Sequence, residues 1–188
     1  RAVSAISIAE RRVTGARSTT AGAPAALCQN LGMETSAHVI RVRVPMRWSD
    51  MDAYGHINNV EVIRMLEEAR ILAFGPPGGT GAPGTEPPVP LFNTVAPNTQ
   101  SLVSEHRVKY LAPLEYRNVP ADVDIWFSSV KGASLAISYL VSDPVTNKPC
   151  IKAETTLAFV DGATGALQRV SAEQRELLRR HTGASVFA

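Results

Sequence analysis

Residues 47–70, RWSDMDAYGHINNVEVIRMLEEAR, place acids and hydrogen-bonding side chains directly before an amphipathic segment. Asn58 is a favoured N-cap residue, and Glu61 completes an Asn-x-x-Glu variant of the capping box, so a helix is predicted to begin at Asn59. The first N–H groups of a helix lack partners within it, and the helix dipole adds positive charge, so this end stabilises a developing oxyanion. Asp52 precedes this end, where its carboxylate could act as base or nucleophile on a carbonyl held by the helix amides.

Other polar residues of the motif have structural interpretations beside the chemical one. Asp50 is expected to cap the turn through nearby backbone, and Gly55 to adopt a backbone conformation closed to other residues. Asn58 is expected to act first as a cap. Glu67, at the margin of the apolar stripe, could orient a water or an acyl group, but an i,i+3 pairing on the helix, such as with Arg70, is the favoured interpretation.

The same motif nearly matches a calcium-binding EF-hand loop. Asp50, Asp52, Gly55 and Glu61 stand at the required positions of that pattern. Tyr54, however, occupies a position that should supply an oxygen ligand, and the residues before this loop predict a strand rather than the entering helix. The pattern therefore does not indicate a calcium site, and no metal is expected elsewhere.

Composition narrows the classes of function. The chain has 188 residues, a 20.1 kDa mass and 45% hydrophobic residues, which suits a single core. Its 19 basic and 17 acidic side chains are spread along the chain, which argues against a nucleic-acid partner. Cys28 and Cys150 lie far apart, without a CxxC pair, so the expected compartment is the cytoplasm. No apolar run approaches the roughly 20 residues that span a bilayer, so no membrane association is expected.

The first 33 residues differ from the rest in having four arginines, a single acid and no apolar period. We interpret residues 1–33 as a poorly ordered leader. A transit peptide is an alternative, but the missing initiator methionine and a plausible start at Met33 favour a fragment or an over-extended gene start. The predicted organisation is completed by a domain over 34–170 and a C-terminal helix and tail over 171–188.

Hydrophobic periodicity predicts the elements that must position the motif. Alternation in HVIRVRVPMRW indicates a strand from residue 38, and helical spacing indicates a helix over 59–74. A loop rich in Gly and Pro follows over 75–90. Period-two alternation predicts antiparallel strands over 101–111, 121–130, 133–142 and 150–160, and a capping box predicts a final helix over 172–181. The fold class is α+β, with one sheet burying its apolar face on the long helix.

The pattern R-W-S-D-x-D-x-x-G-H-I-N-N, followed by a helix ending L-E-E-A-R, resembles the signature of hotdog-fold acyl-CoA thioesterases of the 4-hydroxybenzoyl-CoA thioesterase-like group. The resemblance extends to HRVKYLAPL at 106–114 and covers residues 38 to about 165. It implies a long central helix wrapped by an antiparallel sheet of about five strands. It also implies that two subunits join their sheets with the sites at their interface, giving a homodimer or homotetramer.

The resemblance assigns roles to single residues. It implies that Asp52 is the catalytic acid and that the amide of Asn59 polarises the thioester carbonyl. Some relatives carry histidine or tyrosine where this chain has Asn59. Because the chemistry of the family rests on the acid, His56 is expected to be a hydrogen-bonded structural histidine rather than a base.

The implied activity is hydrolysis of an acyl-CoA, with Asp52 either activating water or forming a mixed anhydride. Coenzyme A is part of the substrate, and no other cofactor is expected. Arg107, Lys109 and Arg117 are candidates to meet its phosphates, although single basic residues on a strand are usually solvated. The acyl tail is expected in an apolar groove beside the helix, its mouth shaped by the loop 75–90. A non-catalytic acyl-thioester or fatty-acid binding module is the alternative, since a fold does not fix a function. A hydratase would need an Asp and His pair at a spacing that the sequence lacks.

Overall fold

The computed structural model describes residues 39–77 and 86–188. Short 3-10 turns lie at Trp48–Asp50 and Leu91–Thr94. The main elements, in chain order, are β1 (Ile40–Val44), α1 (Asn59–Phe74), β2 (Thr99–Tyr110), β3 (Ala121–Val130), β4 (Ser134–Ser142), β5 (Pro149–Asp161) and α2 (Ala172–Arg179).

All five strands belong to one antiparallel sheet in the order β1-β3-β4-β5-β2. This order makes β1 and β2 the two edges of the sheet. On β1, every second residue is buried. Arg41, which points to the other face, forms a bidentate ion pair with Asp124 of β3 at 2.6 and 2.7 Å. The register therefore presents one apolar face of the sheet to α1.

Helix α1 buries one stripe of its surface against that sheet. The buried apolar residues on this side have helical spacing and include Val62, Leu66, Ala69 and Ala73. They pack with core residues of the sheet, and the helix meets β1 and β3 directly. Gly75, with φ 84°, ends the helix in a conformation that favours glycine. Packing against the core thus fixes the position of α1, whose first residue directly follows the loop that carries Asp52.

The predicted elements are all present, with small changes at their ends. The helix over 59–74 and the strand over 121–130 have the predicted bounds, whereas β2 begins earlier, at Thr99. Helix α2 ends at Arg179 rather than at 181 because His181 accepts a hydrogen bond from Phe127 N at 2.9 Å, which draws the chain back to β3. The leader over 1–33 and the loop segment 78–85 lie outside the described residues, so those interpretations stay predictions.

Strand β2 contains a β-bulge that shifts its pairing with β5. The register moves between Val103 and Glu105, which leaves Ser104 as an extra residue. Downstream, His106 pairs with Thr155 and Tyr110 with Ile151, which are buried core-side residues of β5. His106, Val108 and Tyr110 therefore face the helix side, whereas the alternate residues of β2 face the opposite side.

The C-terminal segment 184–187 crosses the sheet face opposite α1. Its anchor is Val186, which is fully buried. The segment contacts one residue on each of four strands. Trp126 of β3 donates to Ala184 O at 2.7 Å, and Val186 N donates to Ser138 Oγ of β4 at 3.1 Å. Ser185 Oγ donates to Glu154 of β5 at 2.8 Å, and Arg107 of β2 lies 4.0 Å above the ring of Phe187. This face of the sheet is thus partly covered by the chain itself.

Candidate active site

The loop before α1 is fixed by backbone hydrogen bonds to the segment that follows β2. Ile57 N donates to Leu114 O at 2.8 Å, and Tyr116 N donates to Gly55 O at 3.3 Å. Gly55 has φ 80°, so the conformation predicted for this glycine is confirmed. The loop is therefore held in place by a strand end about 60 residues later in the chain.

Asp50 is a structural residue of this loop. Its side chain is almost completely buried, and Oδ2 accepts from Arg47 N and from Arg64 Nη2, both at 2.7 Å. Its carbonyl also accepts from Asn58 N at 2.8 Å. The carboxylate thus caps the turn, as predicted, and also ties the loop to α1 through an ion pair. The loop follows strand β1 and a 3-10 turn rather than a helix, which contradicts an EF-hand.

Asp52 is half-buried and uses only one of its carboxylate oxygens in the loop. Oδ1 accepts from Tyr54 N at 2.8 Å and from His56 N at 3.1 Å, and the backbone N–H of Asp52 donates to His56 O at 2.7 Å. Within the described residues, no hydrogen bond or ion pair engages Oδ2. One oxygen therefore orients the carboxylate, and the other is left to bind a proton or attack a carbonyl.

Helix α1 begins seven residues after Asp52. Asn58 is the N-cap, and its Oδ1 accepts from Val60 N at 3.2 Å. The capping-box prediction is wrong in its second half, because the Glu61 side chain accepts from Arg64 at 2.8 Å instead of binding back to the cap. In the part of the chain that the structure describes, the Asn59 N–H has no acceptor, so it is a candidate oxyanion donor.

A cavity of about 380 Å³ lies next to the start of α1. Two of its walls come from the motif itself, through His56 and Ile57 before the helix and Val62 in its second turn. The remaining walls come from the end of β2, the residues after it and β5: Tyr110, Leu111, Ala112, Pro113, Leu114 and Ile151. Its lining is mostly apolar, and it adjoins the residues that hold Asp52. This is the position expected for an acyl pocket.

Of two further predicted site residues, His56 lies at the cavity and Glu67 lies away from the start of α1. His56 lines the cavity, and its backbone is held by Asp52 on one side and by a bridge to Glu115 on the other. Glu67 is exposed on α1, eight residues beyond Asn59, which is about 12 Å along the axis. No ion pair joins it to Arg70 among the described residues, so the suggested pairing on the helix does not form.

Arg70 instead enters a polar cluster between α1 and the sheet. It is buried, and its Nη1 donates to Tyr139 OH at 3.2 Å and, weakly, to Leu66 O. Thr155 hydrogen-bonds Tyr139 and lies 2.9 Å from His106 Nδ1. Partial burial, and then the positive charge of Arg70, lower the pKa of His106, while Glu67 acts in the opposite direction. The cluster therefore favours a neutral imidazole on β2.

Two of the three basic residues proposed for coenzyme A, Arg107 and Lys109, lie away from the loop that carries Asp52, whereas Arg117 follows Tyr116, whose N–H donates to Gly55 O of that loop. Arg107 pairs with Glu154 and Lys109 with Lys152, so both lie on the sheet face opposite α1. Arg107 also contacts Phe187. Arg117 forms ion pairs with Glu115 at 3.1 Å and with Asp143 at 3.2 Å. The contact of these three residues with coenzyme A stays a prediction.

Tyr110 is a site residue that the sequence reasoning missed. Its hydroxyl donates to Asn59 O at 3.3 Å, and its ring lines the cavity. Burial raises the pKa of this phenol. The one signal for it was its place in HRVKYLAPL, the second segment of the family resemblance. Its proximity to Asn59 depends on a pairing of distant segments that local periodicity does not report.

Residues 46–178 match the family model described as the thioesterase-like superfamily. A search of curated proteins found no match. Among solved structures, a thioesterase from Thermus thermophilus in complex with coenzyme A and zinc is 24% identical, with a TM-score of 0.55 over 78% of this chain and 95% of that one. A thioesterase-superfamily protein from Jannaschia is 18% identical, with a TM-score of 0.59 over 81% and 97%. A DHNA-CoA thioesterase from Staphylococcus aureus is 15% identical, with a TM-score of 0.56 over 76% and 89%. These likenesses confirm the hotdog fold.

Proposed function

The chain belongs to the thioesterase-like superfamily, and on that premise we propose that it hydrolyses an acyl-CoA to the free acid and coenzyme A at Asp52. The family confirms the predicted class of thioester hydrolase. The observation that carries the assignment to Asp52 is that one carboxylate oxygen is oriented by two backbone N–H groups while the other has no partner in the described chain. Asp52 lies in the loop that leads directly into the helix end, where the Asn59 N–H has no acceptor in the described chain.

In the proposed reaction the thioester carbonyl oxygen lies at the start of α1. The Asn59 N–H and the helix dipole stabilise the negative charge that develops on this oxygen during attack. Asp52 as a base takes a proton from water while the water oxygen bonds to the carbonyl carbon, and collapse of the tetrahedral intermediate expels the coenzyme A thiolate, which is then protonated. Asp52 as a nucleophile instead attacks the carbonyl carbon and expels the coenzyme A thiolate, which is then protonated, to give a mixed anhydride. Water hydrolyses this anhydride to the free acid and restores the Asp52 carboxylate. The two routes use the same geometry.

Two observations support coenzyme A as the carrier part of the substrate. One solved relative contains coenzyme A, and another is described as acting on a CoA thioester. The proposed chemistry requires no cofactor beyond this substrate, and the cavity beside Asn59 receives the acyl group. None of the helices in residues 39–77 and 86–188 is long and apolar enough to cross a membrane.

We further propose a homodimer or homotetramer, as the family resemblance implies. Strand β2 is a twelve-residue edge strand whose outer backbone groups lack a partner strand in the described chain. Leu102 and Val103 on it are exposed apolar residues. Pairing with a second copy would satisfy this edge. A fully active monomer at micromolar concentration in light scattering would contradict this arrangement.

Thiol release from a panel of acyl-CoAs of different chain length tests the proposed activity. Wild type should release thiol from at least one of them, and Asp52→Asn should not release it at a comparable rate. The alternative, a module that binds acyl thioesters without turnover, predicts saturable binding of the same compounds with no thiol release by either protein. Calorimetric titration of the same panel separates these outcomes.

A further inference from the structure

We propose that Tyr110 determines which acyl groups the site accepts, because its ring forms one wall of the cavity beside α1. This inference rests on the proposed thioesterase function. Tyr110 ends the edge strand β2, so it reaches the start of the helix from a different part of the chain than the Asp52 motif does. Its ring lines the cavity, and its hydroxyl contacts Asn59 O at 3.3 Å.

The chemistry of the cavity indicates the class of acyl group. Its lining contains no Asp, Glu, Lys or Arg side chain, and His56 and Tyr110 alone bring polar side-chain atoms. A carboxylate or ammonium at the end of the acyl chain would lose its hydration there without a charged partner. At about 380 Å³ the cavity is also near the lower end of the range of ligand pockets, about 300–1,000 Å³. The expected substrate is a compact, uncharged, apolar acyl thioester.

Tyr110 differs from four of the apolar lining residues in that it can change without loss of the core. Ile57, Val62, Leu114 and Ile151 are buried and belong to the hydrophobic core, so truncating them would destabilise the fold. Tyr110 is 50% exposed and lies outside that core cluster. Its ring bounds the cavity, while its hydroxyl contacts the first turn of α1. These two contributions are separable by substitution.

The experiment compares kcat/KM over acyl-CoAs of increasing chain length for wild type, Tyr110→Ala and Tyr110→Phe. Because one methylene in an apolar pocket changes selectivity by about 10 to 200-fold, Tyr110→Ala should raise the ratio of long-chain to short-chain kcat/KM at least about tenfold. Tyr110→Phe keeps the ring and should leave this ratio unchanged. Leu167→Ala is the matched control, because Leu167 is exposed and bridges Val160, which pairs with Gln100 at the opposite end of β2.

An unchanged chain-length profile in a folded Tyr110→Ala protein would overturn the inference, and so would an equal shift in Leu167→Ala. Circular dichroism melting establishes that each variant is folded. A wild type that releases no thiol from any acyl-CoA would refute the proposed function instead. The role of Tyr110 remains testable in that case, because calorimetric Kd values for the same panel should show the same shift in Tyr110→Ala. Parallel Kd profiles would contradict it.

Discussion

Asp52→Asn is the substitution that most directly tests the proposed chemistry. Asparagine retains a carbonyl oxygen at the position of Oδ1, so the hydrogen bonds from Tyr54 N at 2.8 Å and His56 N at 3.1 Å can be kept. What changes is the second oxygen, which becomes an amide nitrogen without negative charge. That group can neither take a proton from water nor attack a carbonyl. The loop should therefore keep its shape while its reactive atom is lost.

The expected loss of kcat follows from the separate roles of the two carboxylate oxygens. A positioned general base contributes about 100 to 10,000-fold, so kcat should fall at least about 100-fold. KM should change little, because neither the cavity nor the helix start is altered. Asp52→Ala also removes the side-chain oxygen that accepts from Tyr54 N and His56 N, so it should lower stability as well, by about 1–3 kcal/mol for two hydrogen bonds.

The assay is steady-state thiol release with the best acyl-CoA of the panel, together with thermal melting of wild type and both variants. Asp52→Asn should melt near wild type and be almost inactive, whereas Asp52→Ala should be inactive and less stable. A near wild-type kcat in Asp52→Asn would show that this carboxylate only shapes the loop. A large loss of stability in Asp52→Asn would contradict the claim that Oδ1 holds the loop while Oδ2 is only the reactive atom.

Variants at three more residues test neighbouring parts of the site. Asp50→Asn removes the buried charge that faces Arg64 and should lower stability by about 1.5–3 kcal/mol in denaturant unfolding, with kcat of the folded protein near wild type. Asn59→Pro deletes the proposed oxyanion donor at a position that tolerates proline and should lower kcat about 100 to 1,000-fold, whereas Asn59→Ala should be mild; equal rates would refute that donor. The lowered pKa of His106 means that the unfolded chain binds its proton more readily, so the melting temperature should fall from about pH 7 to about pH 5.5 and fall less in His106→Gln. A pH response unaffected by His106→Gln would contradict the effect of burial and Arg70.

Local patterns predicted the framework of the site well. Asn58 and Gly75 mark the ends of α1 by their own conformational preferences, so the bounds of this helix followed from sequence. The buried ion pair of Asp50 with Arg64 and the contact of Tyr110 with Asn59 could not be predicted in the same way. Each depends on how segments meet in space rather than on the periodicity of either segment. Residue type alone also suggested a role for the cations of β2 without showing which face they occupy.

The bulge residue Ser104 decides which of the alternating β2 side chains face α1 and the cavity. If Ser104 were not taken up by the bulge and regular alternation continued through it from Val103, Tyr110 would point away from α1, and Arg107 and Lys109 would point toward it. Ser104 lies six residues before Tyr110, about 20 Å along the strand. Deleting Ser104 would therefore remove the bulge and leave Tyr110 facing α1. A one-residue insertion between Ser104 and Arg107 would instead exchange this apolar wall for two cations, with no residue of the cavity lining substituted. In this edge strand, the number of residues before Tyr110 shapes the pocket as much as the identity of the side chains does.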